Sequence, residues 1–196
     1  MQQILINDGW MMIPIVLSLF LGIGIILERG IYFLMHRANT APENMLQLME
    51  QGKFTDALAI MEQHRNPVLH MLASGIAHRL HDPVKAMESR GLEEVRKMKR
   101  GLPSLDTIIT LGPLLGLLGT IIGMIDSFGI MASDGLGQPH AVTGGVAEAL
   151  ICTAAGIFVA VAILIPYNYF LARVDRETER IEYFATRAEI ALAPSR

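Results

Sequence analysis

Three stretches of this 196-residue chain, 9–27, 107–125 and 149–172, contain no Asp, Glu, Lys or Arg. Each reaches the roughly 18–20 apolar residues that carry an α-helix across a bilayer. The rest of the chain holds all its charges, so the overall charged fraction of 18% hides a sharp partition. An all-α integral membrane protein with three transmembrane helices follows, with generous ends at 10–35, 105–131 and 142–172. The first stretch resembles a secretory leader in position only. Asp8 precedes it, no Lys or Arg occurs before Arg29, and no small-residue cleavage site follows, so it is expected to stay as a helix.

Orientation comes from the basic residues, because short loops rich in Lys and Arg stay in the cytoplasm. All 16 fall within 29–100 or 173–196. The N-terminus and the loop near 132–141 are therefore expected outside, with the middle segment and the tail inside. Four regions result: 1–36, the outer N-terminus and first membrane helix; 37–104, a cytoplasmic helical region; 105–172, a hairpin of membrane helices two and three; and 173–196, a cytoplasmic C-terminal helix.

Within 37–104, Gly52, Asn66-Pro67 and Asp82-Pro83 punctuate short helices, and Asn66 and Asp82 suit N-caps with Pro in the first helical position. In the tail, Val174, Thr178, Ile181, Ala185, Ala188 and Leu192 form one stripe at helical spacing, so the third helix is expected to run on into the cytoplasm. The lone Cys152 reads as a small packing residue inside an apolar helix. His64, His70, His78 and His81 read as surface or capping residues, with no metal and no cofactor expected. The net charge of −3 and the lack of a basic patch with interleaved aromatics point to no nucleic-acid partner.

The hairpin carries the functional signal. Lipid tails give helices no hydrophobic push toward each other, so close approach at small side chains does the work. Gly112, Gly116 and Thr120 step by four, as do Gly119 and Gly123, while Ala149, Thr153, Gly156 and Ala160 share a face of helix three. Three helices offer few internal partners, and a homo-oligomer is expected. In an antiparallel hairpin centred near residue 136, Thr120 and Thr153 lie at equal depth. Each is 12 residues from the assumed helix ends, about 18 Å in, near the middle of a core about 30 Å thick. Asp126 and Glu148 match nearer the outer mouth. An ionisable side chain in a membrane usually faces a polar path, and Glu148, Asp126, Thr120 and Thr153 are the expected path-lining residues. No Asp, Glu, His, Lys or Arg falls at the midplane. Proton transfer across the centre then needs a carboxylate from another polypeptide.

Leu114-Leu115-Gly116-Leu117-Leu118-Gly119-Thr120, with Gly123-Met124-Ile125 and Phe128, resembles the second-helix signature of the ExbB/TolQ/MotA proton-channel family. Ala147-Glu148-Ala149-Leu150, Thr153-Ala154, Gly156 and Pro166-Tyr167-Asn168 resemble its third helix. Trp10, Met12, Pro14 and Ile26-Leu27-Glu28-Arg29 fit its first. The likeness is strongest to ExbB. It implies a pentameric ring enclosing the single membrane helices of an ExbD-like dimer, whose intramembrane Asp is the missing carboxylate. It also implies a TonB-like protein that passes the motion to outer-membrane transport. Thr120 and Thr153 match the family's pore threonines and Glu148 its third-helix glutamate, whereas Asp126 stands where some relatives have an uncharged polar residue. A TolQ-like subunit of the Tol-Pal envelope system is the alternative. No His-Glu-x-x-His, Gly-x-Ser-x-Gly or P-loop is present, so no enzyme is expected. The absence of internal repeats disfavours a secondary transporter, and a passive scaffold predicts that the two threonines are dispensable.

Overall fold

The computed structural model describes residues 12–36, 40–64, 66–134 and 139–192, and among these all regular secondary structure is α-helix. Seven helices follow in order: α1 (Met12–Met35), α2 (Ala41–Glu50), α3 (Phe54–Gln63), α4 (Pro67–Ala77), α5 (Pro83–Lys99), α6 (Leu102–Asp134) and α7 (Pro139–Leu192). Three of them contain apolar stretches long enough to cross a membrane. Helix α6 extends three residues beyond the expected span at each end, and α7 runs without a break through the expected third span and the tail stripe. Trp10, Asp8, Arg37 and the tip of the 132–141 loop lie outside the described residues.

The helices form two compact units. The first takes the described parts of 1–28 with 101–169, and the second takes 29–100 with the described part of 170–196.

The first unit is dressed for lipid. Its outward residues are large and apolar: Phe20, Phe158 and Ile165 are each about two-thirds exposed, at 68%, 67% and 69%. A soluble protein rarely leaves so much contiguous apolar surface in water. Its interior is made of smaller groups. Ala149, Cys152, Val159 and Ala160 are buried along α7, with Leu105 and Ile108 on α6 and Ile15 on α1. Gly22 of α1 lets Ile163 and Ile108 approach its backbone. Pro113 and Pro166 sit inside helices α6 and α7 without ending them. Membrane helices tolerate this because neighbouring groups take up the freed carbonyls.

The second unit packs as a water-soluble helical bundle does. α4 lies on α5, and α2 contacts both α3 and α4. Met45, Leu46, Met49, Leu69, Met71, Leu72, Ile76, Met87, Met98 and Phe184 are all at most 2% exposed. The tail stripe holds: Val174, Ile181 and Ala188 are buried, and Gly91 of α5 lies against Ile181. Phe33 and Phe170 stack at 5.6 Å between centroids.

The two expected N-caps behave differently. Asn66 Oδ1 accepts from the Val68 amide at 2.9 Å, a side-chain cap with Pro67 in the first turn. Asp82 has left-handed backbone (φ 49°) and makes no side-chain cap. Its carboxylate lies 3.4 Å from Lys85 Nζ instead.

Candidate functional site

The α6–α7 hairpin is built on backbone contact. A Cβ on Gly116 would lie 2.9 Å from the Cys152 carbonyl oxygen and 3.0 Å from Thr153 Cα. One on Gly112 would lie 2.8 Å from the Gly156 oxygen. One on Gly156 would run into the Gly112 carbonyl and stand 3.1 Å from Gly116 Cα. Gly123 faces Ala149, whose methyl would be 2.9 Å from an added Cβ. The obstacles are largely main chain, which has no rotamer with which to yield. Gly119 is also buried. Four of the five predicted packing glycines thus have their reason in the geometry: the helices meet where only hydrogen fits.

That closeness brings the two threonine hydroxyls together. Thr120 Oγ1 lies within hydrogen-bonding reach of Gly116 O at 3.2 Å, of Ala149 O at 3.1 Å and of Thr153 Oγ1. Thr153 Oγ1 reaches across to Gly116 O at 3.1 Å. Each hydroxyl has one proton to donate and can accept another. Two proton orders satisfy the pair. In one, Thr153 donates to Thr120, which donates to Ala149 O. In the other, Thr120 donates to Thr153, which donates to Gly116 O. The pair can therefore carry a proton order in either direction without a charge of its own. The backbones are not level: Thr153 stands opposite Gly116 and Thr120 opposite Ala149, and the two side chains bridge the offset.

Glu148 precedes Ala149, so its backbone lies at the level of Thr120 and Gly123, and its side chain is half-buried. Asp126 lies a turn farther toward the loop and is exposed. The two carboxylates expected at one depth are thus staggered, because α6 and α7 meet in a register set by their glycines and not by the loop midpoint. Only Glu148 belongs to the interior of the hairpin.

One residue in this contact was not singled out from the sequence. Ser127 is 1% exposed and donates to Gly123 O at 2.8 Å, and a side chain on Gly145 would collide with its hydroxyl. The signal was present: Ser127 continues the four-residue spacing of Gly119 and Gly123. Among the described residues no group of three His, Cys, Asp or Glu side chains is placed to hold a metal.

Long apolar helices, a backbone-close hairpin and paired hydroxyls at its crossing define a polytopic helical membrane protein with a polar seam. A sequence model of the MotA/TolQ/ExbB proton channel family matches residues 63–183. The chain belongs to that family, which is one of proton channels and not a known class of enzyme. It is 36% identical over 137 residues to a putative biopolymer transport protein ExbB homolog of Methanothermobacter thermautotrophicus, covering 68% of this chain but only 48% of that protein. Against the putative biopolymer transport protein ExbB-like 3 of Synechocystis the identity is 31% over 189 residues, 89% of this chain and 90% of the relative. A Tol-Pal system protein TolQ of Pseudomonas aeruginosa is 36% identical over 108 residues, 55% of this chain and 47% of that protein.

Proposed function

We propose that the chain is an ExbB-like subunit of a proton-motive-force-driven motor in the bacterial inner membrane. Its N-terminus is periplasmic and its C-terminus cytoplasmic, as the confinement of all 16 basic residues to 29–100 and 173–196 supports. Residues 1–36 supply the first membrane helix, 37–104 a cytoplasmic helical region, 105–172 the pore hairpin and 173–196 a cytoplasmic helix. Five copies form a ring around two membrane helices of an ExbD-like partner. A TonB-like protein carries the resulting motion to outer-membrane transport.

The observation that carries this reading is the Thr120–Thr153 hydroxyl pair at the tightest part of the hairpin. It offers two polar, uncharged groups at the crossing, with the half-buried Glu148 side chain at the same level. A midplane carboxylate supplied by a partner would find there two hydroxyls that can each donate or accept. Glu148 stands beside the pair, and Asp126 belongs to the outer mouth.

Native mass spectrometry of the detergent-purified protein, alone and with an ExbD-like partner, tests the assembly. The expected result is a five-subunit ring that takes up two partner chains. A monomer or dimer that ignores the partner would return the hairpin to a transporter or scaffold reading. The TolQ-like reading is kept alive by relatives of that name at 36% and 35% identity. Deletion of the gene separates the two: loss of energised outer-membrane uptake supports the first, and intact uptake supports the second.

A further inference from the structure

The hairpin reading leaves the inner end of α6 unexplained. Helical geometry of 3.6 residues per turn places Asp106, Thr110 and Thr120 within an arc of about 80° on α6. Asp106 and Thr110 are both exposed, and Thr120 stands where this face meets α7. The Thr110 hydroxyl donates to the Asp106 carbonyl at 3.1 Å, leaving its oxygen lone pairs turned outward. One turn on, Pro113 has no amide hydrogen, so the Ile109 carbonyl lacks its usual helical donor. Three polar features thus gather on the inner third of a helix whose exposed face is otherwise Leu114, Leu117 and Ile121.

Depth gives the cluster its meaning. With Thr120 near the midplane, Thr110 lies about 15 Å farther in and Asp106 about 21 Å, at 1.5 Å per residue. The half-thickness of the hydrocarbon core is about 15 Å. Thr110 falls at the inner boundary and Asp106 just beyond it, in water. No Lys or Arg occurs between 101 and 172, and the basic residues nearest in sequence are Lys99 and Arg100 before α6 and Arg173 on α7, so the membrane segments themselves carry no cation to offset this carboxylate. Leu114 and Leu117 fill the turns between Thr110 and Thr120, so the feature is a mouth and not a continuous wire.

We propose that Asp106, with Thr110, forms the inner mouth of the proton path, a fixed negative charge that concentrates protons and cations at the cytoplasmic end. The inference rests on the proton-path reading of Thr120. The plain alternative is a solvated carboxylate that favours the start of α6 through the helix dipole, with no bearing on flux.

The test is proton flux into liposomes carrying the complete complex with its ExbD-like partner, compared for wild type, Asp106→Asn, Asp106→Glu and Thr120→Val. Charged mouths raise local cation concentration and on-rates by about tenfold or more, an effect that salt screens. Asp106→Asn is expected to lower flux at least about threefold in low salt, with the gap closing toward about 0.5 M salt. Asp106→Glu should keep the flux. If Thr120→Val stops flux while Asp106→Asn leaves it unchanged, the inner-mouth inference is overturned and the path reading stands. An equal loss in the Asn and Glu variants, or a loss indifferent to salt, overturns it too, since position and not charge would then be at work. If Thr120→Val itself leaves flux intact, the path reading falls and takes the inference with it.

Discussion

The α6–α7 hairpin and the polar unit face the same task, holding helices together, and solve it with opposite materials. In the polar unit the buried groups are large: five methionines, Phe184 and several leucines sit at 2% exposure or less. Water drives such burial at about 25 cal/mol per Å² of apolar surface. Where the hairpin helices cross, the facing groups are glycines, alanines and hydroxyls, because lipid offers no comparable push and the gain must come from close contact. Charge follows the same division. The polar unit buries Glu94 at 5% side-chain exposure and surrounds it with Arg90 Nη2 at 3.0 Å, Lys97 Nζ at 3.2 Å and His70 Nδ1 at 3.2 Å. It also buries Arg29, which donates to Lys97 O at 3.1 Å and lies over the Tyr32 ring. The crossing of the hairpin is held by the neutral Thr120–Thr153 pair. One region builds ion pairs into its architecture, and the other joins its helices at the crossing through neutral hydroxyls.

Substitutions that make one region resemble the other should expose the difference. The largest effect is expected where a core-sized side chain enters the hairpin. Gly116→Leu would drive its Cβ against the Cys152 and Thr153 backbone. The cost is expected near the top of the overpacking range, about 3 kcal/mol, with α6 and α7 parting. Proteolysis in detergent should then cut within 102–134 while the polar unit stays protected. Survival of the hairpin would mean that its contacts are looser than drawn.

Next comes the buried carboxylate. Glu94→Ala leaves Arg90, Lys97 and His70 without their shared acceptor. Because those partners are partly exposed, a loss of about 2–3 kcal/mol is expected, below the range for breaking a fully buried pair. Hydrogen exchange of α4 and α5 amides would read it without interference from the membrane helices. Arg29→Leu should be milder, about 1.5 kcal/mol, the lower end for a hydrogen bond to a charged group, and it should be read at the end of α5.

Titration gives the same contrast a pH axis. Burial pushes Glu94 up, but the hydrogen bonds from His70 and Lys97 outweigh it and hold the carboxyl below its ordinary value. Lys97 likewise lowers Glu93. A carboxylate lowered in the folded state adds stability that is complete above its unfolded value and is lost as pH falls through the folded one. The polar unit should therefore loosen as pH drops below about 4. The Glu94→Gln variant should show a flatter decline, and an identical decline would remove the cluster from the account.

How much of this was legible in the residues follows from the solvent each region faces. A bilayer turns sequence distance into depth, so the spacing from the loop singled out Thr120 and Thr153 together, and four-residue steps were enough to find Gly112, Gly116 and Gly156. The same shortcut missed the register, because the glycine contacts, not the loop midpoint, stagger both Thr120 from Thr153 and Asp126 from Glu148. In the polar unit no such ruler exists. Arg29 looked like a flank of the first helix and His70 like a surface histidine, since their partners Lys97 and Glu94 lie 68 and 24 residues away. Which helices meet there depends on three-dimensional packing that periodicity alone does not encode.

The smallest effect on stability should accompany the largest on function. Hydrogen bonds between membrane helices average about 0.6 kcal/mol, so Thr120→Val and Thr153→Val should still fold and assemble. The most direct measurement is proton flux through liposomes carrying each valine variant with its ExbD-like partner, beside a Thr120→Ser control that keeps the hydroxyl. Flux lost in both valine variants and kept in the serine one is the predicted result. Valine complexes that assemble and conduct as wild type would contradict the claim that this hydroxyl pair lies on the proton path.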